Sequence, residues 1–309
     1  MNGALPEFVS VGEALTDMIQ KRPDVWCSRI GGAGFNVARA MARLGVASAF
    51  AGAVSTDVLG RALCEGARLA ALDMRFIQRR DKAPLLAMVH ETSPPDYFFI
   101  GDDSADLHFA PEALPAGWER EVRHVHFGGI SLARQPLAER LIQMAIRLKS
   151  QGAAISYDPN YRKPMDGRYD ATLRTMSGLA DVIKVSDEDL EGLFRTRDTA
   201  AAFTRLRALN PRASVLLTRG ADGAEFHCGD GAWRATAPII TVADTIGAGD
   251  ASISALLFSL MRQPGADGSQ RLRMAVAAGA AACMQPGAAP PTIEQVTALV
   301  PAVDVTTLA

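Results

Sequence analysis

Short apolar runs alternate with longer amphipathic segments along this chain. In the longer segments apolar residues recur at spacings of three and four, as Val37, Met41 and Leu44 do, and a glycine follows as a stop signal. The short runs are bounded by turn residues, which predicts strands. Predicted strands lie at about 8–11, 47–53, 125–127, 154–158, 182–185 and 215–218, and predicted helices at about 36–44, 137–149, 251–261 and 272–284. This order is typical of an α/β chain with a largely parallel sheet.

One region breaks this alternation. Two strand-like segments, 83–91 and 96–101, are separated only by the turn residues at 92–95, so no crossover helix fits between them. They should therefore pair antiparallel. Together with the extended stretch at 13–29 they predict a small second sheet. We expect a single domain over residues 1–309, with a lid formed by about 11–30 and 72–105.

The composition of the chain predicts a large globular core. Of 309 residues, 48% are hydrophobic and 21% are charged, which excludes a disordered or fibrous chain. The net charge of −2 lacks the positive excess that holds nucleic acid or an anionic membrane, so we expect neither partner. The four cysteines include no CxxC pair, and the N-terminus lacks a signal-peptide pattern, so a cytoplasmic location is expected.

A glycine-rich segment leads into the first predicted helix. Gly31, Gly32 and Gly34 let a ligand approach the backbone, and Asn36 can either cap the helix or present its amide to a hydroxyl-rich ligand. The spacing does not match a dinucleotide-binding fingerprint, because Val37 stands where the third glycine would be. A purely structural turn with a helix cap is the alternative interpretation.

A second segment of small residues, 243–250, opens another predicted helix. Its Gly247, Ala248 and Gly249 expose backbone N–H groups at a helix N-terminus, where they can hold anionic oxygens. Asp250 would repel a stored phosphate but can take a proton from an attacking hydroxyl, so the combination indicates phosphoryl transfer. An Asp cap after a glycine turn is the structural alternative. The chain contains neither a P-loop motif nor the signatures of protein kinases.

These two segments resemble the two signatures of the PfkB family of carbohydrate kinases. The first is carried by Gly31-Gly32 with Asn36, Ala38 and Leu44-Gly45, and the second by Asp244-Thr245-Ile246-Gly247-Ala248-Gly249-Asp250. The family's order is also followed by Gly12-Glu13-Ala14 with Asp17, Asp158-Pro159-Asn160 with Arg162, and Thr218 with Gly220 and Gly223. The resemblance implies a ribokinase-like fold, a three-layer α/β/α sandwich with a small β-sheet lid, and an ATP-dependent sugar kinase.

The resemblance also implies roles in the sugar half of the site. Asp250 is the implied general base that activates a sugar hydroxyl, and the backbone of Gly247, Ala248 and Gly249 stabilises charge on the γ-phosphoryl group. Arg162 would reach the phosphates or the substrate. The implied sugar ligands are Asp17, Gly31, Gly32 and Asn36, together with Asp250.

The nucleotide half is implied around two later strands. The expected ATP-binding residues are Lys184, Ser186, Thr218, Gly220, Gly223 and Gly249. Asp189 takes the place of the family's glutamate, which acts through water on Mg²⁺. Ser186 as a helix cap with acids in the first turn explains the same residues, and both interpretations can hold at once. Backbone carbonyls around Asp244 and Ile246 imply a place for K⁺ beside the anion site.

Shorter runs resemble the fructokinase-like branch of the family, among them 9–15, 104–106 and 126–132. The expected reaction converts fructose to fructose 6-phosphate, with 2-keto-3-deoxygluconate or another sugar or nucleoside as the alternative substrate. A catalytically silent sugar-binding protein is the non-enzymatic alternative. Such a protein would be expected to lose Asp250 or the glycines beside it, and both are present. An exposed lid edge predicts a homodimer that pairs through the lid.

Overall fold

The computed structural model describes residues 4–92 and 95–308. In chain order the strands are β1 (Phe8–Val11), β2 (Leu15–Arg22), β3 (Val25–Gly31), β4 (Ser48–Ser55), β5 (Ile77–Arg80), β6 (Leu86–Thr92), β7 (Pro95–Ile100), β8 (His124–Gly128), β9 (Ala154–Asp158), β10 (Val182–Ser186), β11 (Ser214–Thr218), β12 (Ala224–Cys228), β13 (Gly231–Ala235) and β14 (Val305–Thr307). The helices are α1 (Ala33–Arg43), α2 (Val58–Leu69), α3 (Trp118–Glu121), α4 (Leu137–Ser150), α5 (Asp170–Leu179), α6 (Asp187–Phe194), α7 (Thr199–Leu209), α8 (Ala248–Arg262), α9 (Gly268–Cys283) and α10 (Ile293–Leu299). Short 3₁₀ helices span Met74–Phe76, Ala105–His108, Pro111–Ala113, Ile130–Ala133, Gly167–Tyr169, Gly220–Asp222 and Val300–Ala302.

A ten-stranded sheet forms the body of the molecule, in the order β14-β13-β12-β11-β10-β9-β8-β1-β4-β5. The strands from β11 to β5 run parallel, while β12, β13 and β14 extend the sheet antiparallel. The six predicted strands are confirmed in this sheet. They appear as continuous apolar runs because both faces are buried. Phe8 belongs to the same buried cluster as Leu256, whereas its neighbour Val9 belongs to a cluster with Leu141 on the opposite face.

Helices cover both faces of the sheet and give the predicted three layers. The cluster on one face joins α1, α8, α9 and α10, and the cluster on the other joins α4, α5, α6 and α7. The four predicted helices are confirmed, but α1, α8 and α9 begin three or four residues earlier than predicted. A glycine in each of these first turns interrupts the apolar period on which the prediction rested. Within residues 4–92 and 95–308, no helix has both the length and the apolar character needed to cross a bilayer.

A separate four-stranded sheet, which we call the lid sheet, has the order β3-β2-β6-β7. The antiparallel pairing of β6 with β7 is confirmed, whereas Ser93 and Pro94 of the predicted turn lie outside the described residues. The strands of the lid sheet cover 15–22, 25–31, 86–92 and 95–100, so the predicted second segment, 72–105, is too wide. Part of that segment forms β5 instead, which pairs with β4 at the edge of the main sheet.

Candidate active site

A cleft of about 1710 Å³ is lined by the lid sheet and by residues at the carboxyl ends of the parallel strands. Segments that follow β9, β10 and β11 contribute to it, and so do the first turns of α1 and α8. Parallel strands bring their carboxyl ends to one edge of a sheet, where ligands of such folds bind. The topology therefore gathers both glycine-rich segments at one place.

Asp250 lies in the first turn of α8 and accepts a hydrogen bond from the start of α1. Asn36 Nδ2 donates to Asp250 Oδ2 at 2.9 Å, although the two residues are 214 positions apart. Burial raises the pKa of the Asp250 carboxyl, while this hydrogen bond and the cations Lys184 and Arg162 oppose the shift. Asp250 thus faces the cleft with one oxygen oriented by an amide.

The structure excludes the helix-cap alternative for both of these residues. Gly32 is the N-cap of α1, so Asn36 lies inside the first turn and does not cap the helix. Gly247, with a φ of 84°, is the N-cap of α8, so Asp250 is not a cap either. Neither side chain caps its helix, and the two side chains form a hydrogen bond in the cleft instead.

Gly31 and Gly32 make room for the groups beside them. A Cβ on Gly31 would come within 2.1 Å of Asp17 Oδ2, and one on Gly32 within 2.5 Å of the Glu13 carbonyl oxygen. Gly32 also has a φ of +105°, which side chains rarely adopt. Glycine at these two positions lets β2, with Asp17, lie close to the start of α1.

Asp17 is partly buried in the same cleft as Asp250. Burial raises the pKa of Asp17 to about 6, with Arg162 opposing the shift and Asp250 adding to it. Arg162 Nη1 donates to the carbonyl oxygens of Asn160 at 3.1 Å and Tyr161 at 2.7 Å. These bonds hold the guanidinium at the cleft. The structure therefore brings together the predicted sugar-side residues Asp17, Gly31, Gly32, Asn36, Arg162 and Asp250.

Lys184 is a buried cation beside the start of α8. Its Nζ lies 3.2 Å from Asp158 Oδ2 and 3.7 Å from Asp189 Oδ2, and only 5% of the residue is exposed. Burial disfavours its charge, but these carboxylates and Asp250 outweigh burial and raise the pKa of Lys184. A Cβ on Gly249 would come within 3.1 Å of the ammonium group. Lys184 is therefore charged and directly adjacent to the small-residue turn.

Ser186 and Asp189 form a capping box at the start of α6. The Ser186 hydroxyl accepts from the Asp189 N–H at 3.0 Å, and Asp189 Oδ2 accepts from the Ser186 N–H at 2.7 Å. Asp189 Oδ1 accepts from the Tyr161 N–H at 2.7 Å. Burial opposes ionisation, but Lys184 and these donors hold the pKa of Asp189 below its usual range. The helix-cap interpretation is confirmed, and both carboxylate oxygens of Asp189 accept backbone hydrogen bonds.

The other half of the cleft combines glycine turns with an apolar wall. The Thr218 hydroxyl donates to the Val185 carbonyl oxygen at 3.5 Å, and Gly220 and Gly223 follow with φ values of 52° and 90°. A Cβ on Gly223 would lie 2.0 Å from the Ala235 carbonyl oxygen. Apolar residues that sequence reasoning missed complete this half: Ala237, Pro238, Ile240, Val242, Val276, Ala280 and Cys283. They form no motif, because they come from separate segments.

Asp244 connects the small-residue turn to the loop that follows α9. Its Oδ1 accepts from the Ile246 N–H at 3.0 Å, and its Oδ2 accepts from the Gly287 N–H at 2.9 Å. This turn carries the carbonyls predicted to hold K⁺. The Asp244 side chain therefore shapes the backbone at that place.

Two further carboxylates, which sequence reasoning did not assign to the site, connect the lid side of the cleft to the body. Glu13 accepts hydrogen bonds from the Ser131 hydroxyl and, at 3.2 Å, from the Ser131 N–H. Asp106 forms an ion pair with Arg134, which also donates to the Gly101 carbonyl oxygen just after β7. The signal for these contacts was present in the runs that resemble fructokinases, since Glu13, Asp106 and Ser131 belong to them.

The arrangement can support phosphoryl transfer to an alcohol. The α8 N-terminus and the Lys184 ammonium both favour anionic oxygens, and Asp250 can accept a proton beside them. A carboxylate next to an anion site matches a reaction in which a hydroxyl is deprotonated while it attacks a phosphate.

Comparisons with known proteins identify the class to which this fold and cleft belong. The model described as pfkB family carbohydrate kinase matches residues 6–295. The chain therefore belongs to the PfkB family of carbohydrate kinases, and its fold is ribokinase-like. The family predicted from the two glycine-rich segments is confirmed.

Its relatives support the fructokinase-like branch of that family. Probable fructokinase-2 from Arabidopsis thaliana is 32% identical over 302 residues, 91% of each chain. Aminoimidazole riboside kinase from Salmonella typhimurium is 29% identical over 258 residues, 82% of this chain and 80% of the relative.

Solved structures agree with the sequence relatives. A fructokinase with bound ATP from Xylella fastidiosa is 28% identical with a TM-score of 0.86, covering 96% of this chain and 99% of that one. A fructokinase double mutant from Vibrio cholerae O395, in a form that binds fructose, ADP and potassium ion, is 26% identical with a TM-score of 0.83. That match covers 96% of this chain and 100% of that one.

Proposed function

We propose that this chain is an ATP-dependent fructokinase that forms fructose 6-phosphate. The observation that carries the proposal is the meeting of Asp250 with Asn36 beside the α8 N-terminus, in a cleft that also contains Asp17. Carboxylate and amide groups suit the paired hydroxyls of a sugar, and a helix N-terminus suits a phosphoryl group. The related fructokinases support the choice of fructose as the sugar.

In the proposed reaction Asp250 is the general base. It accepts the proton of the sugar hydroxyl as the hydroxyl oxygen attacks the γ-phosphorus. The bond between the γ-phosphorus and the β,γ-bridging oxygen breaks, and ADP leaves with that oxygen. The N–H groups of Gly247, Ala248 and Gly249 and the Lys184 ammonium stabilise the charge on the transferred group. Arg162 neutralises the carboxylates that converge on the sugar. The proposed sugar ligands are Asp17, Gly31, Gly32 and Asn36, together with Asp250.

The nucleotide is proposed to occupy the half of the cleft beyond Lys184. The turns at Gly220 and Gly223 present backbone close to it, with Ser186 and Thr218 at the strand ends. The apolar wall packs on the adenine, as apolar lining does in most small-molecule sites. A related fructokinase was solved with bound ATP, which supports ATP as the nucleotide.

Mg²⁺ is proposed to enter with the nucleotide. Within the described residues, no group of three His, Cys, Asp or Glu side chains is placed to enclose a metal ion. Mg²⁺ usually keeps several waters and binds substrate phosphates with one or two carboxylates, so Asp189 fits a role through water. Such an ion would neutralise phosphate charge during transfer.

K⁺ is expected to raise the rate of phosphorylation. A monovalent cation on the backbone carbonyls around Asp244 and Ile246 would stabilise the turn whose N–H groups hold the transferred phosphoryl group. The potassium bound to the related fructokinase supports this expectation. Rates are to be compared in potassium, sodium and choline chloride at equal ionic strength. Indistinguishable rates in the three salts would contradict the expectation.

The choice of fructose over an anionic sugar acid rests on the charges of the sugar half. The carboxylates of Asp17 and Asp250 both lie there, and Arg162 is a cation that acts on both. A substrate carboxylate, as in 2-keto-3-deoxygluconate, would add a third negative charge to this half of the cleft. Aminoimidazole riboside is the second candidate, because the kinase for that nucleoside is a relative of similar identity.

The experiment that tests the proposal is a coupled assay of ADP release with ATP, Mg²⁺ and a panel of acceptors. The panel contains fructose, ribose, 2-keto-3-deoxygluconate, adenosine, aminoimidazole riboside and fructose 6-phosphate. The highest kcat/KM is expected for fructose, with fructose 6-phosphate as the product by NMR. Equal or better kcat/KM for the sugar acid or a nucleoside would contradict the fructokinase proposal. Binding of a sugar without turnover of any acceptor would support the silent binding protein.

A homodimer that pairs through the lid sheet is also expected. β3 and β7 are the edge strands of that sheet, and Phe98 and Ile100 on β7 are 52% and 49% exposed. Open strand edges with apolar side chains favour pairing with a second copy. Sedimentation at micromolar concentration should give a dimer. A monomer throughout that range would contradict the expectation.

A further inference from the structure

Arg39 contacts the residues around Asp250 without lying at the reacting atoms itself. It follows Asn36 by one turn of α1, and its Nη1 donates to Asn36 Oδ1 at 3.4 Å and to the Ala288 carbonyl oxygen at 3.2 Å. Its guanidinium lies 5.4 Å from the centroid of the Phe35 ring. Burial lowers the pKa of Arg39, but a guanidinium stays charged at any pH used for assays.

The first of these contacts determines which way the Asn36 amide points. An asparagine amide presents an acceptor on one side and donors on the other. With Arg39 at Oδ1, the NH₂ group faces Asp250 and donates to its Oδ2 at 2.9 Å. Turning the amide over would place an oxygen against the Asp250 carboxylate and the NH₂ group against a cation. Arg39 therefore favours the one orientation that stabilises ionised Asp250.

The second contact reaches the loop that follows α9. Arg39 holds the Ala288 carbonyl, while the neighbouring Gly287 N–H donates to Asp244 at 2.9 Å. This loop packs against the α8 N-cap, since a Cβ on Gly247 would lie 3.3 Å from Ala288. One side chain thus contacts both the partner of Asp250 and the loop behind the small-residue turn.

We propose that Arg39 is a positioning residue, which holds the Asn36 amide with Nδ2 toward Asp250 and anchors the 284–291 loop against the turn at Gly247. The expected change in the pH dependence of kcat/KM rests on the proposed role of Asp250 as general base. The expected change in the titration of the Asp250 carboxyl does not rest on that role.

Other charged groups act on the same carboxyl from several elements. They are the cations Lys184 on β10 and Arg162 after β9, and the anions Asp17 on β2 and Asp158 on β9. Arg43 on α1 acts on Arg39 itself. A substitution at Arg39 leaves these groups in place, and Arg39 is not among the charges that act directly on Asp250, so a change in the titration of Asp250 reports on the Asn36 amide.

The test compares Arg39→Met and Arg39→Lys with the parent protein by ¹³C NMR titration of the aspartate carboxyls. The Asp250 signal is assigned by its loss in Asp250→Asn. In Arg39→Met the midpoint of Asp250 should rise by about half to one pH unit, because a hydrogen bond to the charged form is weakened. In Arg39→Lys the rise should be smaller than in Arg39→Met. With fructose and ATP, the acid limb of kcat/KM should move by the same amount, while KM for ATP stays within about twofold.

Two comparisons separate positioning from a general loss of structure or charge. In an Asn36→Ala background no amide remains to orient, so Arg39→Met should move the Asp250 midpoint no further. Arg43→Met removes an equal charge from an exposed position on the same helix and should leave the midpoint unchanged. An unshifted midpoint in a folded Arg39→Met variant, or an equal shift with and without Asn36, would overturn the proposal. A parent protein that phosphorylates no acceptor would contradict the kinase proposal, and the NMR titration would still decide the role of Arg39.

Discussion

Asp250→Asn is expected to lower kcat by about 10²- to 10⁴-fold or more while leaving ATP and fructose binding within a few-fold. Asparagine keeps the shape of the side chain and can still bond to Asn36 and to a hydroxyl, but it cannot accept a proton at neutral pH. Burial raises the pKa of Asp250, so kcat/KM of the parent should fall toward low pH as the base becomes protonated. That limb of the pH profile should disappear in the variant.

The measurements are kcat by coupled assay and the binding of both ligands by calorimetry. Asp304→Asn, the same change at an exposed position far along the chain, is the matched control and should leave kcat unaltered. A variant that retains more than about a tenth of the parent rate would show that Asp250 is a sugar ligand and that the base lies elsewhere.

Lys184→Met is expected to reduce both stability and turnover. The ammonium is the partner of Asp158 at 3.2 Å and lies 3.7 Å from Asp189, and its removal leaves two buried carboxylates without this cation. Breaking a buried ion pair on one side commonly costs about 3–5 kcal/mol in the free energy of unfolding. Loss of the cation beside the phosphoryl site should lower kcat by about 10²-fold. Denaturant unfolding and steady-state kinetics measure the two effects.

A double variant separates these two roles of Lys184. Asp158→Asn combined with Lys184→Met removes one of the carboxylates left unpaired, so it should recover part of the stability without recovering kcat. If Lys184→Met alone keeps kcat within about threefold of the parent, Lys184 only balances buried charge and does not act on the phosphoryl group.

The elements of the main sheet could be predicted because their signals are local. A strand buried on both faces, as β10 is at Val182 and Ile183, needs apolar residues in succession, and a helix needs apolar residues at spacings of three and four. The starts of α1 and α8 were less predictable, because Gly34 and Gly249 in the first turns carry no side chain to mark the period.

The lid boundaries needed the tertiary structure. Residues 77–80 are Ile-Gln-Arg-Arg, and this local pattern predicts neither a strand nor the sheet that it would join. They join the main sheet because β4 offers them a free parallel edge. Both the formation of this strand and the choice of its partner depend on long-range context, which the local pattern does not record.

By itself, the sequence determined the fold class, the family and the two glycine-rich segments of the candidate site, since each depends on residues that are adjacent in the chain. Only the tertiary structure placed Asn36 against Asp250, Lys184 between two buried carboxylates, and Arg39 behind Asn36. These contacts join residues from different strands and helices. Their distances, burial and charges arise from packing, which no spacing along the chain records.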